Sequence, residues 1–144
     1  MIIRVPALTV GIALAFATAN AQDGTLQGIA YVEAPEMSSG VCVGEDAQEA
    51  FACAKQQCIT GGGTDEDCLE IAYCYPARTS IDIFVQHQEG IHWHEFMCGL
   101  DSKETALALA KAACDKTLRP YLIECTPVMF YDANGNAEEI PFEN

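Results

Sequence analysis

The sequence predicts an α+β fold: a duplicated ββαβ unit whose strands form an antiparallel-rich sheet with two helices on one face, stapled by disulfides. Three observations lead there. First, Cys42 and Cys58 recur 56 positions later as Cys98 and Cys114. Ala50, Ala54 and Lys55 recur at the same offset as Ala106, Ala110 and Lys111, and Cys68 is matched by Cys125 after a one-residue insertion. Second, each copy sets an alternating apolar segment before an alanine-rich stretch with helical spacing. Third, all eight cysteines follow an export-type leader, and an even set in an oxidising compartment reads as a disulfide framework.

Met1–Ala21 reads as the leader. Arg4 supplies the positive start, Val5–Thr18 is the apolar stretch, and Ala19-Asn20-Ala21 is a small-residue cleavage motif. The apolar run is too short to span roughly 30 Å of hydrocarbon at ~1.5 Å per residue. The expected organisation is residues 1–21 as signal peptide and 22–144 as one disulfide-rich domain. That domain holds two repeats, about 26–78 and 79–131, and an acidic tail in which Asn134-Gly135 marks a turn.

Within each repeat the elements follow in order. Short first strands are expected at Leu26–Val32 and Ile81–Gln86, and second strands around Ser39–Val43 and Ile91–Cys98. The first helix can be capped by Asp46, with Glu49 completing a capping box. It would bury Ala47, Ala50, Phe51, Ala54 and Cys58, and Gly61-Gly62-Gly63 stops it. The second helix starts at Asp101 or Ser102. Its buried face is read as Ala106, Leu107, Leu109, Ala110, Ala113 and Cys114. Third strands close the copies at Cys68–Tyr75 and Leu122–Tyr131, with Pro127 marking an edge or a break in the latter. Equivalent bridges Cys58–Cys68 and Cys114–Cys125 then tie each helix end to the next strand. Pseudo-symmetry pairs Cys42 with Cys98 and leaves Cys53 with Cys74.

Gly28-Ile29-Ala30-Tyr31, then Asp46-Ala47 through Ala50, Ala54 and Cys58, then Asp67-Cys68-Leu69-Glu70-Ile71 and Cys74, resembles a secreted bacterial family catalogued as domain of unknown function 4189. The resemblance covers nearly all of the chain after the leader. It implies export and a disulfide-bonded fold with tandem cysteine-containing repeats, and it carries over no catalytic residue. The chain departs from that pattern in its acidity, in Cys42, Cys53 and Cys98, and in the segment His92-Trp93-His94.

Lys plus Arg number 7 against 21 Asp plus Glu, a net charge of −14. Nucleic acid and anionic lipid surfaces are excluded as partners on charge, because they require a positive field. No G-x-S-x-G elbow and no phosphate-cradling loop occur, and Gly61-Gly62-Gly63 runs into Thr64-Asp65-Glu66-Asp67, which repels phosphate. All three histidines, His87, His92 and His94, fall within eight positions. On a strand His92 and His94 share a face, and His87 across a short turn would complete a zinc site; Glu89 or Glu95 could add oxygen, although Glu95 lies on the opposite face. The competing reading is a polar hairpin face with Trp93 turned inward. The expectation is an exported, periplasmic or secreted monomer with no cofactor and no catalytic activity. It would bind a protein or envelope component with a basic or neutral surface, in an inhibitor-like or envelope accessory role, without membrane insertion. The alternatives are a periplasmic metal-binding protein and, third, a small hydrolase.

Overall fold

The computed structural model describes residues 26–141. The leader, its Ala19-Asn20-Ala21 motif and Phe142 lie outside the described residues. The first half contains β1 (Gly28–Ala34), β2 (Ser38–Gly44), α1 (Ala47–Thr60) and β3 (Leu69–Cys74). The second contains β4 (Thr79–His87), β5 (His92–Leu100), α2 (Lys103–Ala113), β6 (Leu122–Tyr131) and a short β7 (Ala137–Glu139). Each half is α+β with the element order ββαβ, and all pairing is antiparallel.

The expected single sheet with both helices on one face is corrected. There are two sheets, ordered β2-β1-β3 and β5-β4-β6-β7. One face of the first packs on α1 through Ala30, Val32, Cys42, Ala50, Ala54 and Cys58. One face of the second packs on α2 through Ile81, Ile83, Val85, Ala106 and Ala110. The remaining faces meet each other, with Ile29, Tyr31, Val43 and Ala72 against Phe96, Cys98 and Tyr131. The order of layers is therefore helix, sheet, sheet, helix. The reason lies in β1, whose seven residues are all buried. Its apolar run Ile29-Ala30-Tyr31-Val32 offers both faces for burial, and a strand flanked on both faces reads as a continuous apolar run. A single two-layer sheet would have left Ile29 and Tyr31 in water.

Local chemistry sets the helices. The Asp46 carboxylate accepts from the Glu49 amide at 2.9 Å, and Glu49 reaches back to the Glu45 amide at 2.8 Å, so the expected box closes one residue early. Ser102 caps α2 by accepting from Thr105 N at 3.2 Å. Gly61 ends α1, its amide donating to Gln57 O at 2.9 Å. In α2 only the stripe Ala106 and Ala110 is buried, with Ala113 and Cys114 partly so. Leu107 and Leu109, expected inside, are 41% exposed, because alanines let the helix settle close to the sheet and the flanking leucines project past its edges. In β6, Pro127 sits beside a bulge, paired with Ile83 of β4 and short of the β7 ladder, which begins at Met129.

All eight cysteines are paired. Cys58–Cys68 and Cys114–Cys125 join each helix end to the following strand. The other two bridges differ from the pseudo-symmetric pairing. Cys42 joins Cys53 and ties β2 to α1, while Cys74 joins Cys98 and ties the two sheets together. The cause is a bulge in β5. Thr79 pairs with Leu100 and Ile81 with Met97, so Cys98 and Gly99 both oppose Ser80, with Gly99 at φ 77°. One extra residue turns Cys98 to the face opposite that of Cys42. The position equivalent to Cys53 in α2 is Leu109, so no helical partner was available to Cys98.

Candidate functional site

Alternation along β4 and β5 sorts the histidine segment. Asp82 pairs with Phe96, Phe84 with His94 and Gln86 with His92, which sets these six side chains on the face turned toward the first sheet. Ile83 with Glu95 and Val85 with Trp93 occupy the α2 side. His87 has the parity of Ile83 and Val85 and packs at a tilt of 35° against Tyr121, ring centroids 5.5 Å apart. The expected three-histidine zinc site is therefore not assembled: His92 and His94 share a face and His87 takes the other. Among the described residues no group of three His, Cys, Asp or Glu side chains is placed to hold a metal ion. Glu95 is committed elsewhere, gripped by both terminal nitrogens of Arg119 at 2.6 and 2.8 Å. That guanidinium, together with Trp93 Nε1, holds the Glu95 carboxyl below its usual range.

The structure adds two residues to His92 and His94 that the sequence reading passed over, Asp82 and Glu33. Asp82 is 4% exposed and its Oδ1 lies 2.7 Å from His94 Nδ1. Glu33, 3% exposed on β1 of the other sheet, accepts the His94 backbone amide through Oε1 at 2.7 Å. His94 is thus held by two buried carboxylates from strands of different sheets, its imidazole by Asp82 and its backbone amide by Glu33. The hydrogen bond to Asp82 raises its pKa above the ordinary value, outweighing burial. Burial raises the Glu33 carboxyl, partly offset by the His94 amide. Both acids stand inside apolar runs, Val32-Glu33-Ala34 and Ile81-Asp82-Ile83. That setting does not single them out, since Glu70 and Glu124 have apolar neighbours too and are exposed.

The cluster opens into a cleft of about 170 Å3 lined by Glu33, Ala34, Glu36, Met37, Ser38, Ser39, His92 and His94. The β1–β2 turn forms one wall. Met37 N closes it on Ala34 O at 3.0 Å, with Pro35 and Glu36 at its inner positions. Glu36 has φ 63°, where glycine is the usual residue, and its Oε1 lies 3.7 Å from His92 Nδ1 across the rim. Beneath the cluster Tyr31 stacks on Phe96 at 4.5 Å and meets Tyr131 edge-on at 5.7 Å. Among the described residues the buried Tyr31 hydroxyl has no hydrogen-bond partner of good geometry; the nearby Ser80 Oγ donates to the Arg78 carbonyl at 3.4 Å. Burial pushes the Tyr31 phenol far up and that of Tyr131 up to about 12.

An Asp–His pair can act as a base, and a serine nucleophile would need its hydroxyl within reach of the imidazole. Ser38 Oγ instead donates to Cys58 O at 2.7 Å. Ser39 lines the cleft, and among the described residues no hydrogen bond joins it to His94. The arrangement is a negatively charged receptacle with an imidazole in its wall. Comparison with family models, curated proteins and solved structures finds no match to this chain.

Proposed function

We propose that this chain is an exported, non-catalytic acidic domain that acts by binding a protein or envelope component with a basic surface. The observation that carries this reading is the uncompensated acidity of the molecule. Lys55, Arg78, Lys103 and Arg119 are already held by Asp65, Asp101, Glu138 and Glu95. Among the described residues Lys111 and Lys116 are the basic side chains outside those pairs, and with Arg4 of the leader they stand against the other 17 acids. A field of one sign speeds encounter with the opposite sign and deters wrong partners. Four disulfides support a location outside the reducing cytoplasm, periplasmic or extracellular. Among the described residues no helix is long and apolar enough to cross a membrane.

The test is capture on immobilised native protein from an envelope extract, followed by affinity measurement on the recovered component. A basic partner whose affinity falls steeply between about 50 and about 500 mM salt supports the reading. A partner of acidic or apolar surface with salt-independent affinity contradicts it, as does stoichiometric zinc in protein purified without a histidine tag.

A further inference from the structure

We infer that the cleft between the β1–β2 turn and β5 receives the cationic end of a lysine or arginine side chain, with Glu33 as its floor and Glu36 as its rim. The inference rests on the binding function proposed above and names the anchor point for the basic partner. Glu33 is buried to all but 3% of its surface, and Oε1 is taken by the His94 amide. Among the described residues no hydrogen bond reaches its second oxygen, and the residue lines the cleft. That oxygen is not an enclosed, unsatisfied atom and stays open to solvent from the cleft, where a charged donor binds a carboxylate more strongly than water does.

Charge and shape both favour an organic cation. Glu33, Glu36 and Asp82 stand against His94 and His92, so the group stays negative even with His94 protonated. A hydrogen-bond-donating cation suits it better than a bare metal ion, because no three donors converge. Met37 and Ala34 give the wall an apolar part on which the methylenes of a lysine or arginine stem can lie. About 170 Å3 takes several heavy atoms, the size of an ammonium or guanidinium head with its last methylenes. A second copy of this chain is a poor occupant, since two molecules of charge −14 repel.

The experiment titrates N-acetyl-lysine methylamide, and its uncharged isostere N-acetyl-norleucine methylamide, into the intact disulfide-bonded protein while following the His92 and His94 ring resonances. The lysine probe should shift both rings and the norleucine probe neither. Affinity should fall roughly tenfold in Glu33→Gln and in Glu36→Gln, the loss of one charge-assisted hydrogen bond. It should be unchanged in Glu139→Gln, which removes the same charge from β7. Glu36 sits in an exposed turn, so its variant keeps the test valid if Glu33→Gln misfolds. Equal affinity in all variants, or equal binding of the norleucine probe, overturns the inference. Undiminished retention of a basic partner by Glu36→Gln overturns the cleft as its anchor and leaves the broader function standing. Lysine-probe binding at the cleft without any basic partner would uphold the cleft and remove the function.

Discussion

At the residue scale the molecule is governed by a few polar groups enclosed between its sheets. His94 and Glu33 both have folded pKa values raised above their ordinary ones. Each therefore contributes stability that is complete below its ordinary pKa and is lost as pH rises through the folded value. For His94 that loss begins above about 6.5, for Glu33 above about 4.5. Glu95, lowered by Arg119, works the other way and loses its contribution as pH falls. Thermal melts should thus show a lower Tm at about pH 8.5 than at about pH 6, with the difference reduced in His94→Gln; an unchanged difference would contradict the role given to His94. Tyr31→Phe tests the orphaned hydroxyl. Removing a buried polar group without a partner should leave stability unchanged or raise it by about 1 kcal/mol in urea titrations. A loss beyond ~1.5 kcal/mol would mean that the hydroxyl has a partner. His92 and His94 sharing a face was legible from strand alternation, whereas Glu33 was not, because its partner is 61 positions away in another sheet.

At the element scale the halves share an order but differ in detail, and small residues decide the difference. β2 lies directly on α1. A Cβ at Gly40 would stand 1.9 Å from the Ala54 carbonyl oxygen and 2.9 Å from its carbon, so the strand approaches the helix backbone itself. Gly40→Ala must push α1 away and should cost about 2–3 kcal/mol in denaturant titrations; a cost under ~0.5 kcal/mol, typical of a surface change, would show that the contact is looser. Asp46→Ala removes the α1 cap and should cost about 1 kcal/mol, read from the same titration. The alanine stripes, though not the outward Leu107 and Leu109, the caps and the two helix-end bridges were legible because they depend on residues close in sequence. The bulge at Cys98-Gly99 was not. A glycine in a strand is compatible with several geometries, and whether it adds a residue to the register is settled by the facing strand. That one residue decides which way Cys98 faces.

For the whole molecule the decisive event is the stacking of two sheets with the helices outside. Every feature assigned a function depends on it: Glu33 comes from the first sheet, Asp82 and His94 from the second, and the cleft lies where they meet. The residues described here form a small body, which cross-links help to stabilise where buried surface is limited. Two bridges act within the first half and one within the second, and Cys74–Cys98 alone joins the halves. The α+β class and the ββαβ order were readable from periodicity, but the second sheet was not, since pairing between distant segments leaves no local mark beyond the doubly buried run in β1. Non-reducing peptide mapping of the native protein tests this arrangement most directly. It should recover Cys74 linked to Cys98 and Cys42 linked to Cys53. A peptide linking Cys42 to Cys98 would contradict the account, because in the stacked arrangement those side chains point to α1 and to the opposing sheet, on opposite sides of the first sheet.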